Sequence, residues 1–164
     1  MSSILFVCTG NSCRSPMAAA LARSLFAQVQ NAPTVSSAGL QAPPGQPASA
    51  NAVLVAREHG ADLSGHRTRP LNLELVGQSD LILTMTKSHR DAILRAYPSA
   101  RGKVYSLSEF SGLTERGDLI DPYGGDPTRY RETWAAIEEH LQAALPRLLD
   151  DLSEREDHEH PEVG

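Results

Sequence analysis

Strand-like segments alternate with helix-like ones along these 164 residues. That order predicts an α/β fold: a four-stranded parallel sheet with helices on both faces, in a single domain. Two further observations support it. The first strand candidate, Ile4-Leu5-Phe6-Val7-Cys8, is apolar without interruption, as a parallel strand buried on both faces must be. The helix start at Ser15-Pro16 follows it closely, which suits a right-handed strand–helix–strand crossover.

The elements follow in order. Ser15 and Pro16 read as N-cap and first residue of a helix. Met17, Ala20, Leu21, Ser24, Leu25 and Val29 recur at helical spacing, and the helix is expected to end near Gln30. Thr34 to Gly39 is the second strand. Pro43-Pro44-Gly45-Gln46-Pro47 is a loop by its turn residues. Ser49 to His59 predicts a helix, with Gly60 suited to the position after its C-cap. Gly65 to Pro70 is irregular. Asp80 to Met85 is a third strand, and Lys87 to Tyr97 a helix that stops at Pro98. Lys103 to Leu107 is the fourth strand and Ser111 to Asp126 a long loop. Thr128 to about Leu149 is the last helix, expected to be kinked or divided at Pro146.

Residues 1–150 therefore form the domain, and 151–164 are expected to be an acidic, disordered tail. From Asp150 to Glu162 there are seven acids and one Arg, a net of −6, which leaves about +1 for the rest of a chain at −5. His158 and His160 could touch a metal there, but an untied tail is the stronger reading. A net negative charge argues against general nucleic-acid binding. No apolar run approaches the roughly 20 residues of a membrane span, and the start lacks a basic region before its apolar stretch. A cytoplasmic protein is expected. Cys8 and Cys13 share one segment and form no disulfide framework.

The chemistry is concentrated in Cys8-Thr9-Gly10-Asn11-Ser12-Cys13-Arg14-Ser15. A loop between a strand end and a helix start can turn backbone N–H groups inward as an anion nest, and the helix terminus adds its positive end. Gly10 permits backbone conformations closed to other residues. Arg14 offers a planar fork for two phosphate oxygens. A thiol at the base of such a cradle sits in a positive field that favours the nucleophilic thiolate. Ser15 can cap the helix and donate to the sulfur. A Walker loop is excluded because its Gly-Lys-Ser/Thr ending is absent. A zinc site is unconvincing because no second Cys or His pair follows at ligand spacing. No metal and no cofactor are expected.

Cys8-Thr9-Gly10-Asn11-Ser12-Cys13-Arg14-Ser15-Pro16 resembles the signature of the low-molecular-weight protein tyrosine phosphatase family. The similarity extends to about Leu149 through Ser37-Ala38-Gly39, Gly65-His66-Arg67, Asp80 to Met85 and Asp121-Pro122-Tyr123-Gly124. The resemblance implies a cysteine-dependent protein phosphatase acting through a phosphocysteine intermediate, with Cys8, Arg14 and Asp121 as catalytic residues. It also implies phosphate binding by Thr9, Gly10, Asn11, Ser12, Cys13, Arg14 and Ser15. Asn11, Ser15, Ser37 and His66 match residues that hold the loop in shape.

Asp121 also has a reading of its own. A leaving alcohol or amine needs a proton, and a carboxylic acid beside the loop can give it and then serve as base for water. Pro122 stiffens the backbone, Gly124-Gly125 allows a sharp turn, and Tyr123 can wall the cleft. Asp-Pro and Gly-Gly are equally the makings of an ordinary turn. Asp118 and Asp126 are weaker candidates.

The expected substrates are phosphorylated proteins, with phosphotyrosine and phosphoarginine close to even, and free phosphate or other oxyanions as ligands. Family members acting on phosphotyrosine usually have a bulky aliphatic residue where Ser12 stands and often an aromatic where Gly124 stands. The hydroxyl and glycine here resemble the bacterial protein-arginine phosphatases of the family. An arsenate reductase would need cysteines beyond Cys13. Alternatives outside phosphatase catalysis are a non-catalytic phosphate-binding module and a thiol redox sensor using Cys8 and Cys13.

Overall fold

The computed structural model describes the backbone of residues 2–159 and the side chains of residues 2–150. Its elements are β1 (Ser3–Cys8), α1 (Arg14–Phe26), β2 (Thr34–Gly39), α2 (Ala50–Glu58), α3 (Leu73–Gln78), β3 (Leu81–Thr84), α4 (Lys87–Ala96), β4 (Val104–Ser106), α5 (Leu107–Ser111) and α6 (Pro127–Glu159). The four strands form one parallel sheet in the order β2-β1-β3-β4. The predicted fold class is thus the observed one. The central strand β1 explains the uninterrupted apolar run. Ile4 and Phe6 pack into one core with Met17 of α1, Val55 of α2 and Ile137 of α6. Leu5 and Val7 pack into the other with Val76 of α3 and Ile93 of α4.

Several boundaries differ from expectation. Helix α1 starts at Arg14, with Cys13 as an N-cap that makes no side-chain capping bond. Ser15 is already inside the helix, and its hydroxyl turns to Cys8 instead. α1 ends at Phe26 and not near Gln30, because the chain must reverse into β2. Asn31, at φ 56°, makes that turn. Helix α3 was not foreseen: six residues show too little periodicity, although Asn72 caps it by accepting from the Leu75 amide at 2.8 Å. α5 was not foreseen and begins at Leu107, the expected end of the fourth strand, while the 3₁₀ turn Thr114–Arg116 occupies part of the connection expected as loop.

α6 is not divided at Pro146. Ala144 and Leu148, both buried, anchor the helix on either side of the missing hydrogen bond. It also continues to Glu159 and so enters the segment expected to be a disordered tail. A long packed helix is a ready nucleus, and Leu, Glu and Arg extend one readily. His158 lies within that helix, while the last part of the expected tail, including His160, lies outside the described residues.

Candidate active site

β1 ends at Cys8 and α1 begins at Arg14, so the intervening loop lies beyond the carboxyl edge of the sheet, where α/β proteins place ligands. Its carbonyls are held from outside. Cys8 O accepts from Leu40 N at 3.0 Å, Thr9 O from Gln41 N at 2.9 Å, and Ser12 O from Ser49 N at 3.0 Å. Cys13 O accepts from Met17 N at 3.1 Å, and Asn11 O from His66 Nε2 at 2.8 Å. In a trans peptide the N–H points opposite to the C=O. The amides of Thr9, Gly10, Ser12, Cys13 and Arg14 therefore face the other way, as an anion nest requires.

The loop's left-handed residue is Asn11, at φ 56°, and not Gly10. Asn tolerates that region because its side chain can bond nearby groups. Here the amide is fully used: Nδ2 donates to Ser15 Oγ and Ser37 Oγ, each at 2.9 Å, and Oδ1 accepts from Arg69 N at 3.0 Å. The close glycine is Gly39 at the end of β2. A Cβ there would lie 2.6 Å from Thr9 O and 2.9 Å from Asn11 N.

At the base of the loop Cys8 Sγ is 2.9 Å from Ser15 Oγ and receives Asn11 N–H at 3.3 Å. Ser15 Oγ accepts from Asn11, and its own hydrogen can go to the sulfur at 2.9 Å or to Ala38 O at 3.5 Å, the sulfur being the nearer acceptor. Both contacts can present a hydrogen to the sulfur. Cys13 lies behind the loop, 3.3 Å from both Ser49 Oγ and Tyr130 Oη. Burial first, and then the bond to Cys13, push the Tyr130 phenol up to about 12. Burial first, and then three nearby guanidiniums, lower His66 although its bond to Asn11 O raises it, so the ring that braces the loop is neutral at pH 7.

Arg14 is buried and joins the Cys8–Ser15 loop to the segment that carries Leu119 and Asp121. Its Nη1 donates to Leu119 O at 3.1 Å and its Nη2 is 3.5 Å from Asp121 Oδ2. The three candidate acids separate by position. Asp126 caps α6, accepting from Arg129 N at 3.1 Å. Asp118 accepts from Lys87 N at 2.9 Å. Asp121 lines a cleft of about 380 Å³ together with Cys8, Arg14, Ser12 and Tyr123. A larger cavity of about 490 Å³ lies beside the Leu119–Pro122 segment and contains neither Cys8 nor Arg14.

The structure thus brings together Cys8, Thr9, Gly10, Ser12, Cys13, Arg14, Asp121 and Tyr123 around one cleft, with Asn11, Ser15, Ser37 and His66 as its support. Sequence reasoning missed Gly39 as a close-approach site, Arg69 and Ser49 as loop braces, and His89, whose Nε2 lies 2.8 Å from Thr9 Oγ1. These residues come from four separate segments, and no local pattern links them to the loop.

Comparison with known proteins identifies the family. The family model described as low molecular weight phosphotyrosine protein phosphatase matches residues 3–155. A protein-arginine-phosphatase of Geobacillus stearothermophilus is 40% identical over 149 residues, covering 91% of this chain and 95% of that one. A probable low molecular weight protein-tyrosine-phosphatase, EpsP, of Ralstonia nicotianae is 40% identical over 146 residues, covering 89% of this chain and 95% of that one. A solved YwlE arginine phosphatase, a cysteine-to-serine mutant with a phosphorylated active site serine, superposes with a TM-score of 0.86 at 38% identity, covering 91% of this chain and 97% of that chain. The chain belongs to the low molecular weight phosphotyrosine protein phosphatase family and is a cysteine-dependent protein phosphatase.

Proposed function

We propose that Cys8 attacks the phosphoryl group of a modified protein side chain, while the loop amides and Arg14 hold its oxygens and Asp121 protonates the leaving group. The S–P bond forms as the P–N or P–O bond breaks. Asp121, now a carboxylate, takes a proton from water, whose oxygen attacks phosphorus. The S–P bond then breaks and returns the thiolate, received by the Ser15 hydroxyl and the Asn11 amide. The observation that carries this reading is the convergence of Cys8, Arg14 and Asp121 on one cleft. The Arg14 Nη2–Asp121 Oδ2 contact of 3.5 Å opens when the guanidinium turns to the arriving phosphoryl oxygens, so substrate binding itself frees Asp121 for the leaving group.

Phosphoarginine is the substrate class we place first. Thr9, Ser12, Gln46 and Thr68 give the cleft a polar wall, which suits a guanidinium better than a phenyl ring. Phosphotyrosine is the second reading, favoured by Tyr123, 74% exposed, and by Pro43 and Pro47, which can stack against a ring. Single-turnover rates on one peptide carrying either phosphoarginine or phosphotyrosine test the choice. A higher rate constant on phosphotyrosine reverses the order, and no phosphate release from either removes the proposal. Among the described residues no helix is long and apolar enough to cross a membrane. A reducing cytoplasm is the setting we propose, since it keeps a thiol nucleophile active.

A further inference from the structure

His89 has no part in the chemistry above, yet it is 7% exposed and lies against the phosphate loop. It sits in the first turn of α4, where its backbone amide donates to Thr86 Oγ1 at 3.1 Å. Its Nε2 is 2.8 Å from Thr9 Oγ1. Its Nδ1 is buried with no hydrogen-bond partner among the described residues.

That asymmetry selects a tautomer. A buried N–H without an acceptor is a rare and costly orphan, whereas an under-satisfied acceptor is better tolerated. The neutral ring therefore carries its hydrogen on Nε2 and donates it to Thr9 Oγ1. Burial first, and then the charge of Arg14, lower His89 to about 4, with Asp118 and Asp121 acting in the opposite sense. The ring is neutral across the physiological range.

With its oxygen engaged from one side, the Thr9 hydroxyl must send its own hydrogen elsewhere. Thr9 is exposed, lines the cleft and follows Cys8 directly. We infer that His89 is a positioning residue: by donating from Nε2 to Thr9 Oγ1, it commits the Thr9 hydroxyl hydrogen to a phosphoryl oxygen held above Cys8. This rests on the proposed phosphatase reading of the cleft. Thr9 then adds a side-chain donor to the backbone nest and Arg14, where charge is spread over the phosphoryl oxygens. A leucine at position 89 leaves the hydroxyl free to rotate away or to bond the protein.

Two measurements test the inference. Imidazole ¹⁵N shifts of the resting protein, which need no turnover, should show a neutral Nε2–H tautomer from pH 5.5 to 8. An Nδ1–H tautomer, or titration near the ordinary histidine value, overturns the assignment. In kinetics on p-nitrophenyl phosphate, Thr9→Val and His89→Leu should each lower kcat about ten- to a hundredfold, the range of one hydrogen bond to a charged group. KM should change little. His89→Leu added to Thr9→Val should cost nothing more, and His89→Gln, whose amide can reach the Nε2 position, should restore most of the rate. Independent, multiplying losses overturn the inference, as does a His89→Gln variant as slow as His89→Leu at equal Tm. Turnover that persists in Cys8→Ser would instead remove the phosphatase reading beneath it.

Discussion

The two loops that meet over the cleft are built on opposite terms. The phosphate loop, Cys8 to Ser15, has its carbonyls bonded to Leu40, Gln41, His66 and Ser49, and Asn11 at its centre is fully buried. The acid loop turns on two bonds of its own, Asp121 Oδ1 accepting from the Tyr123 amide at 3.0 Å and Pro122 O from Gly125 N at 2.8 Å. It is tied from outside by Met85 and Arg14 at Leu119, Thr133 at Ile120, Arg14 at Asp121 and Asn51 at Gly125. Ile120 and Tyr123 on either side of the acid are 80% and 74% exposed. The difference has a chemical sense. The geometry of attack on phosphorus is the same for every substrate and is best set before binding. A proton donor must instead meet leaving groups of different shape, and a loop whose side chains stand exposed around the acid can follow them.

The sharpest way to separate the loops is to disable each one's reacting group. Cys8→Ser should abolish turnover while phosphate or vanadate binding remains measurable by calorimetry, since the nest and Arg14 are untouched. Substantial activity in that variant removes the covalent mechanism. Asp121→Asn should be graded where Cys8→Ser is absolute. One positioned acid contributes about 10²–10⁴-fold, and the loss should grow from activated aryl phosphate to phosphotyrosine to phosphoarginine as the leaving group becomes more basic. Equal losses on all three in single-turnover assays take Asp121 out of the acid role.

The same substitution placed in each region gives a smaller but cleaner contrast. Gly39→Ala puts a methyl group against backbone atoms of Thr9 and Asn11. Moving the loop by as little as an ångström can cost about a hundredfold in rate, with a drop in Tm. Gly124→Ala, at φ 78° with nothing within 4 Å, should cost about 1 kcal/mol of backbone strain and little kcat. If both variants are equally slow, the acid loop is as rigidly set as the cradle.

The smallest effect expected is on acid stability. His66 and His89 brace the phosphate loop, and burial lowers both below the ordinary 6.5, His89 to about 4. Below about 6.5 the unfolded chain takes up protons that the folded rings refuse, so folding stability falls as pH drops from 6.5 toward 4. His89→Gln should flatten the fall of Tm in that window. An unchanged slope shows that His89 titrates alike in both states.

What could be read from sequence followed contiguity. Cys8 to Ser15 is one uninterrupted segment between a strand and a helix, so the proposed nucleophile, clamp and nest could all be read from it. Asp121 was visible as an acid in a turn-rich stretch, but only its neighbours in space separate it from Asp118, tied to Lys87, and Asp126, which caps α6. Ser37 and His66 came from family resemblance and not from any local pattern. Arg69, Ser49 and His89 were missed because each reaches the loop only across 36 to 80 residues of sequence. α5 left a local signal that went unread: Ser106 and Glu109 form a capping box. Ser15 divides the reading: it is not the N-cap that its residue type suggests, while its hydroxyl lies against the Cys8 sulfur as expected.

Arg14 spans 105 positions of the chain to reach Leu119 O. That single bond gives synthesis an order. A nascent chain that has emerged only as far as β4 already holds Cys8, the whole signature and three neighbouring strands, but the anchor that sets the guanidinium has not yet been made. Truncations short of residue 119 should therefore display the whole motif, with the thiol and its two neighbours Ser15 and Asn11, but without the bond that sets the Arg14 guanidinium.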